Sequence, residues 1–197
     1  MKKFEIKTYN LPNAEIYYYP NFLSTAIANS YFEKFLKELH WEHFDIKIFG
    51  KLIPQPRLTA LYAVNGQAYS YSNLTLTPHS YTSELISINQ ELEKLTHVKF
   101  THCLANLYRN GNDSMGWHSD NEKELGPNPL IASLSLGAER KFQLKHKELK
   151  EQKLDIILKH GSLLLMKGET QHFWKHQLPK TKKVDSPRIN LTFRTII

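Results

Sequence analysis

Cysteine is nearly absent from this chain, with Cys103 the one thiol among 197 residues. A single thiol excludes an intrachain disulfide and is too little for a structural zinc site. It suits a reducing compartment, so we expect a protein of the cytoplasm, or of the nucleus in a eukaryote. The opening MKKFEIKTYN has two lysines but no apolar stretch behind them. Because a secretory signal needs that stretch, we expect a protein that is not secreted.

Long apolar runs are also missing. The run at residues 163–166 is at most a buried strand, so we expect no membrane association. Repeats, low-complexity tracts and Gly/Ser linkers are absent too, which favours one domain over residues 1–197, large enough to bury a core.

The apolar spacing predicts two amphipathic helices followed by short strands. One helix runs from Ser24 or Thr25 to Leu39, and the other covers residues 83–96. The predicted strands are 100–108, 130–136, 141–145, 155–158, 162–166, 173–177 and 188–195. Regularly spaced short strands indicate a closed or double-sheet antiparallel fold. We therefore expect a mainly β fold with flanking helices, of the α+β type, in which residues 1–98 pack on a jelly-roll core at 99–197.

Positive charge is concentrated in one part of the chain. Residues 140–183 hold 12 Lys or Arg and 4 Asp or Glu, while the remaining residues have a net charge of −1. Such a basic segment favours phosphate backbones as partners. The alternative is a solvated face on which lysines cluster by chance.

The stretch GWHSDNE places His118 and Asp120 two residues apart. On a strand, residues at this spacing point to the same face. An imidazole and a carboxylate supply two of the three ligands in the two-His, one-carboxylate site of non-haem iron oxygenases. His and Asp also meet at this spacing by chance, so the pair needs a third ligand from another strand.

Four of the ten histidines are considered as the third ligand. His146 and His160 lie beside lysines at strand ends, where we expect them to face solvent. His172 and His176 differ by four positions, and a continuous strand would place both on one face. The pattern leaves both open, with His176 nearer to the strand that starts at Arg188.

The segment 188–194 alternates strictly between polar and apolar residues, as a two-faced strand does. Its polar face carries Arg188, Asn190, Thr192 and Arg194. An antiparallel strand with its polar face in water is the simpler interpretation. Two guanidinium groups without an opposite charge instead favour a ligand with a carboxylate at each end, such as 2-oxoglutarate.

Asn106 and Tyr108 share one face of the first predicted strand. An amide and a phenol there suit a pocket for a polar ligand, although a strand end turning toward solvent is an equal alternative.

An ordered set of motifs resembles the AlkB family of Fe(II)- and 2-oxoglutarate-dependent nucleic-acid dioxygenases. The motifs are NLYRNG, WHSDNE, IASLSLG, HGSLLLM, FWKHQLP and PRINLTFR. They cover residues 106–194. Upstream, IFGK, QPRLTALY and AYSYSNLTLTP are similar to the branch that contains the animal DNA-repair homologues.

The resemblance implies a double-stranded β-helix core and a full set of site residues. It makes His118, Asp120 and His176 the Fe(II) ligands, with 2-oxoglutarate and dioxygen as co-substrates. It assigns Arg194 to the distal carboxylate of 2-oxoglutarate, and Arg188 to the other carboxylate or to bracing Asp120. The residues that would complete the co-substrate pocket are Asn106, Tyr108, Asn190 and Thr192.

The activity implied by the resemblance is oxidative demethylation of bases such as 1-methyladenine and 3-methylcytosine in DNA. 2-Oxoglutarate would become succinate and carbon dioxide, and the methyl group would leave as formaldehyde. The alternatives are the same reaction on RNA or tRNA, an oxygenase for protein or small molecules, and a β-helix domain that binds nucleic acid without catalysis. We expect a monomer.

Several residues before the core are implied to contact the nucleic acid. Tyr71 would stack on a flipped base, with Tyr69 beside it, although sheet packing explains tyrosines there equally well. Phe49 would fill the gap in the duplex, or else pack in a core. Glu122 would meet the exocyclic amino group. The full expected set is Phe49, Gly50, Lys51, Arg57, Tyr69, Tyr71 and Glu122, with Lys145, Lys147 and Lys150 as candidates for contacts with phosphates.

Overall fold

The computed structural model describes residues 4–48, 51–64, 66, 69–71 and 74–197. Within them lie sixteen strands and three helices. In chain order these are β1 (Lys7–Leu11), β2 (Ala14–Tyr19), α1 (Thr25–Glu38), β3 (Asp45–Ile48), β4 (Lys51–Pro54), β5 (Leu58–Ala63), β6 (Tyr69–Tyr71), β7 (Leu74–Leu76), β8 (His79–Ser80), α2 (Ser83–Thr96), β9 (His102–Tyr108), β10 (Met115–His118), β11 (Ile131–Gly137), β12 (Arg140–His146), β13 (Lys153–Leu158), β14 (Ser162–Lys167), α3 (Thr170–Phe173), β15 (Trp174–Leu178) and β16 (Arg188–Arg194).

Two sheets form the body of the molecule. The major sheet has eight strands in the order β1-β2-β14-β11-β16-β9-β5-β8, and the minor sheet has four in the order β10-β15-β12-β13. Neighbouring strands are antiparallel except for β5 and β8, which are parallel. The pairs β3–β4 and β6–β7 are separate hairpins. This is the mainly β, double-sheet architecture that the strand pattern predicted.

Apolar side chains fill two layers, one on each face of the major sheet. One layer lies between the two sheets, where Met166 of β14 packs with Phe142 of β12 and Trp174 of β15. The other lies under the helices, where Phe35 of α1 and Leu92 of α2 belong to the same cluster as residues of β11 and β16. The order of layers is therefore helices, major sheet, minor sheet.

Both long helices form where the sequence predicted them. Ser24 precedes α1 and its hydroxyl accepts a hydrogen bond from the N–H of Ile27 at 3.4 Å. Thr82 does the same for Leu85 at the start of α2, at 3.3 Å. These hydroxyls each satisfy a backbone donor that the first helical turn leaves unpaired.

The seven predicted strands are present within about two residues of their expected bounds. Strands β1, β2 and β5 were not predicted. In β5 the sequence LTALYA is a continuous buried run, and periodicity cannot distinguish such a run from a buried helix. With β8, these strands contribute half of the major sheet from before residue 99. The single-domain assignment and the boundary at residue 98 stay predictions.

No helix in the described part of the chain is both long enough and apolar enough to cross a membrane.

Candidate active site

Three candidate metal ligands meet at one edge of the minor sheet. His118 ends β10 and lies directly opposite His176 on β15. Their Nε2 atoms are 3.1 Å apart, and Asp120 lies 3.9 Å from the first and 3.8 Å from the second. One ligand atom from each residue falls within 4.8 Å of the others. Two imidazole nitrogens at right angles on one metal, each about 2.1 Å from it, lie about 3.0 Å apart, so the pair fits a single ion.

Asp120 reaches this cluster by a route that the sequence did not predict. Strand β10 ends at His118. Asp120 therefore does not share a strand with His118, contrary to the expectation. Beyond that point the strand pairing is replaced by side-chain hydrogen bonds. The hydroxyl of Ser119 donates to the carbonyl of Trp174 at 2.8 Å, and the amide of Asp120 donates to Oε1 of Gln171 at 2.9 Å. These bonds turn the Asp120 carboxylate toward the two histidines.

The protonation of the cluster suits metal binding. Nδ1 of His118 lies 2.8 Å from the carbonyl of Gly116, and donation of its proton there leaves the lone pair on Nε2. Burial, with the neighbouring His118, lowers the pKa of His176 to about 3. Burial alone would raise the pKa of Asp120, but the charge of Arg194 and the two histidines hold it below its usual value. A neutral imidazole and an ionised carboxylate are the forms that bind metals.

The other histidine candidates lie elsewhere. His172 is an exposed residue of α3, and β15 begins only at Trp174, so His172 and His176 do not share a strand face. The expectation that His146 faces solvent was wrong, because it is 5% exposed and packs against Phe173. His160 is partly buried. Its Nδ1 accepts a hydrogen bond from the N–H of Gly137.

A cavity of about 50 Å³ between the two sheets adjoins the three ligands. Its walls include the six residues expected to bind the co-substrate, namely Asn106, Tyr108, Arg188, Asn190, Thr192 and Arg194. All six are buried. The polar face of β16 therefore lies against this cavity, and the alternative of a solvated polar face is wrong.

Arg188 lies in the wall of the cavity beside Tyr108. Its Nη2 donates to the hydroxyl of Ser135 at 2.9 Å, and its guanidinium carbon is 5.3 Å from the centre of the Tyr108 ring. Its Nε has no hydrogen-bond partner among the described residues. Burial lowers the pKa of Arg188 to about 10, which still leaves it positively charged at neutral pH. A buried cation with an unused donor fits a carboxylate ligand.

Arg194, rather than Arg188, contacts the metal-binding carboxylate. Its Nη2 donates to Oδ1 of Asp120 at 2.7 Å. The expectation that Arg188 braces Asp120 was therefore wrong. The two arginines stand at opposite ends of the seven-residue strand β16, and only the end at Arg194 lies next to the ligand cluster.

Amide and hydroxyl groups connect the remaining cavity residues. Asn190 donates to the hydroxyl of Ser133 at 2.8 Å and accepts from Thr192 at 3.1 Å. Asn106 accepts a 2.8 Å bond from Nε of Arg57. Ser133 was not singled out from the sequence, although it alternates with apolar residues in IASLSLG and lies directly opposite Thr192.

The residues expected to contact nucleic acid do not line the cavity where the structure describes their side chains. Arg57 is buried on Asn106, behind the cavity wall, and Glu122 is half-buried just before a 3₁₀ turn at Lys123–Leu125. Neither lines the cavity. Phe49 and Gly50 lie outside the described residues. For the last three, Lys51, Tyr69 and Tyr71, the structure describes the strand backbone but not the side chains.

Comparison with known proteins agrees with this geometry. The family model described as the 2OG-Fe(II) oxygenase superfamily matches residues 15–194. The chain therefore belongs to the 2OG-Fe(II) oxygenase superfamily, in which Fe(II), 2-oxoglutarate and dioxygen are the expected cofactor and co-substrates.

Its relatives place it more narrowly, in the AlkB family. It is 39% identical to alpha-ketoglutarate-dependent dioxygenase alkB homolog 3 of Bos taurus, over 90% of this chain and 64% of that protein. It is 38% identical to DNA oxidative demethylase ALKBH2 of Homo sapiens, over 87% of this chain and 70% of that protein. The chain thus spans somewhat under two thirds of the length of its alkB homolog 3 relative.

The fold is also confirmed by a solved structure. The structure of OsALKBH1 covers 97% of this chain with a TM-score of 0.63 and 17% identity. This likeness extends over all of the OsALKBH1 chain and supports the jelly-roll assignment.

Proposed function

We propose that this chain is an Fe(II)- and 2-oxoglutarate-dependent dioxygenase that demethylates N-alkylated bases in DNA, of the 1-methyladenine and 3-methylcytosine type. One observation carries the proposal: the ligand cluster of His118, Asp120 and His176 adjoins a buried cavity that also holds Arg188 and Arg194. The activities in the names of the alkB homolog 3 and ALKBH2 relatives support it.

His118, Asp120 and His176 would hold the iron, and three protein ligands would leave positions for 2-oxoglutarate and dioxygen. Arg194 fixes the orientation of Asp120 by occupying its Oδ1, which leaves Oδ2 on the side of His176. Hydrogen bonds of this kind around the ligands set their orientation and basicity.

The co-substrate would lie along the polar face of β16, which lines the cavity. In our assignment Arg188 takes the distal carboxylate of 2-oxoglutarate, with Tyr108 and Ser135 beside it. Arg194 stands at the iron end. This assignment reverses the roles expected from the sequence, and the contact between Arg194 and Asp120 supports it. Asn106, Asn190 and Thr192 line the space between the two arginines.

Iron, 2-oxoglutarate and dioxygen together supply the oxidation of the N-methyl group, which leaves as formaldehyde while 2-oxoglutarate becomes succinate and carbon dioxide. The protein binds and orients the reactants and limits the access of water to them. Leu104, Ile131, Phe142 and Met166 lie among the polar residues of the cavity walls and make its surroundings partly apolar. In such a medium the charges of the arginines act more strongly on a carboxylate than they would in water.

The methyl group on a base-pairing edge is hidden inside a duplex, so the base must be flipped out or presented in a single strand. The proposed contacts of Phe49, Gly50, Lys51, Tyr69 and Tyr71 with that base or its neighbours stay predictions. The nucleic-acid contacts of Arg57 and Glu122, the monomeric state and the cytoplasmic or nuclear location also stay predictions.

The test is anaerobic reconstitution with Fe(II) and 2-oxoglutarate, followed by aerobic incubation with methylated oligonucleotides. Mass spectrometry follows the loss of the methyl group from DNA and from RNA of the same sequence. We expect demethylation that requires both iron and 2-oxoglutarate, is lost in His118→Ala and is kept in His172→Ala, a matched variant outside the cluster. Faster demethylation of the RNA than of the DNA would indicate that RNA is the substrate. Iron binding without any methyl loss would contradict the proposal.

A further inference from the structure

The outer face of the minor sheet carries a groove separate from the active-site cavity. Its volume is about 720 Å³. Its walls include one aromatic residue and five lysines, which are Trp117, Lys145, Lys147, Lys150, Lys153 and Lys175. Asp155 is the one acidic residue in these walls, and it is already paired with Lys141 at 2.9 Å.

Three of the lysines form a row across the sheet. Lys145 of β12 lies directly opposite Lys175 of β15 on one side and directly opposite Lys153 of β13 on the other. Like charges that face each other across strands destabilise a sheet. Lys147 is also affected, since burial and the charge of Lys175 lower its pKa. The groove therefore concentrates positive charge at a cost to the fold, and a polyanion would offset that cost.

Trp117 stands at the edge of the same groove. Its side chain is 37% exposed, whereas Trp174 is fully buried. Its neighbour His118 lines the active-site cavity, so β10 presents an aromatic ring on one face and a metal ligand on the other. The Nζ of Lys145 lies 4.3 Å from the centre of the indole. Because β10 is an edge strand, a bound polymer that crosses this edge can contact both faces of the minor sheet.

His146 braces the turn between β12 and β13, which forms part of the groove wall. Its Nδ1 accepts the backbone N–H groups of Glu148 and Leu149 at 3.2 and 3.0 Å. Lys147, the next residue of this turn, donates to the carbonyl of Gln171 at 3.0 Å. Gln171 in turn accepts the amide N–H of Asp120, so a lysine of the groove and a residue of the metal cluster both contact Gln171.

We propose that this groove binds a single strand of nucleic acid, with one unpaired base on Trp117 and the flanking phosphates on the row of Lys175, Lys145 and Lys153. An aromatic platform beside a positively charged track is the arrangement that binds single strands without sequence preference. The inference rests on the proposed function, since it places the nucleotides that flank the base in the cavity.

The proposed stacking on the ring of Trp117 is tested by measuring oligonucleotide binding in the absence of iron. The probe is an unmodified ten-nucleotide oligothymidylate with a fluorescent label, measured by anisotropy with the full chain. Loss of one stacked base should weaken binding about tenfold in Trp117→Ala, and Trp117→Phe should recover most of the affinity. Unfolding curves of both variants verify that they are folded. Unchanged affinity in folded Trp117→Ala would overturn the inference.

The lysine row is tested by salt dependence. Each phosphate contact that is lost should reduce the slope of log K against log salt by about 0.7. We expect this for Lys145→Gln and Lys153→Gln, but not for Lys37→Gln, an exposed lysine of α1 outside the groove. Equal slopes in all three variants, or tighter binding of a paired duplex than of the single strand, would overturn the inference.

Failure here is distinguishable from failure of the proposed function. The binding assay contains neither iron nor a methylated base, and so a chain that demethylates without using the groove would lose only the present inference. A chain that binds the single strand through Trp117 but releases no methyl group would lose only the proposed activity.

Discussion

Arg194 donates a 2.7 Å hydrogen bond to Oδ1 of Asp120, while the other oxygen of that carboxylate faces Nε2 of His176 at 3.8 Å. Both partners of the short bond are buried. One carboxylate oxygen of Asp120 is thus held by Arg194, while the other faces the ligand cluster. Such a partner fixes a ligand before any metal arrives.

Replacing Arg194 with Met should therefore weaken metal binding. We expect a loss of roughly 10- to 100-fold in affinity, as for other residues that orient ligands. The apoprotein should also lose about 3–5 kcal/mol of unfolding free energy, because a buried carboxylate is left without its partner. Calorimetric titration with Co(II) and urea unfolding measure the two effects. Arg109→Met removes a half-exposed arginine that pairs with the buried Asp113 outside the ligand cluster, and it serves as the control for metal affinity. Equal metal affinities for the two variants would refute this account of Arg194.

Replacing Arg188 with Met should instead weaken 2-oxoglutarate binding and leave the metal in place. Truncating one partner of a buried charge pair costs about 2 kcal/mol or more, or roughly 30-fold in affinity. Titration of the Co(II)-loaded protein with 2-oxoglutarate measures it. Ser135→Ala, which removes the hydroxyl that Arg188 contacts, should cause a smaller loss. If Co(II)-loaded Arg194→Met lost more 2-oxoglutarate affinity than Arg188→Met, the assignment from the sequence would be the right one.

The fold was predictable where periodicity is unambiguous. Helix α2 and strand β16 have clean spacings and formed as expected. Strand β5 is buried on both faces and mostly apolar, and local periodicity carries no information in that case. Strands β1 and β2 meet at a tight turn where Asn13 has a φ of 52°, and the pairing of β2 with β14 joins residues far apart in sequence.

The site was predictable in its residue types but not in its connections. Alternation placed Arg188 and Arg194 on one face, yet it could not say which end of the strand meets the metal. That depends on the antiparallel register of β16 and on where β10 ends. Gln171 was missed for the same reason. It carries no local signal, and its role arises only when α3 packs beside the segment that holds Asp120.

Gln171 provides a second test of how Asp120 is positioned. It is fully buried, and its Oε1 is the acceptor for the amide of Asp120. Gln171→Leu keeps most of the volume but leaves that amide without its acceptor, which costs about 1–3 kcal/mol of stability. We also expect weaker Co(II) binding. The neighbouring His172→Ala is the control, because His172 is exposed and outside the cluster. Loss of Co(II) affinity in His172→Ala as large as in Gln171→Leu would contradict this role.

The contact between helices α1 and α2 has a pH dependence that can be worked out. Lys34 of α1 pairs with Glu84 of α2, and this hydrogen bond lowers the pKa of Glu84 from 4.5 to about 2. A carboxyl whose pKa is lower in the folded state stabilises the fold above its unfolded pKa, and this stabilisation is lost as the pH falls toward the folded value. The pair should therefore contribute fully above about pH 5 and very little near pH 2.

Glu84→Gln measures that contribution. Because Lys34 is 40% exposed, we expect the loss at pH 7 to be at most about 1 kcal/mol in urea unfolding. The difference from the unmodified chain should shrink steadily between pH 4.5 and 2. Glu91→Gln breaks an exposed pair with Lys94 within α2 and should cost less, about 0.3 kcal/mol. A difference for Glu84→Gln that stayed constant down to pH 2 would mean that the side chain acts through packing or as a neutral hydrogen-bond acceptor, and not through its charge.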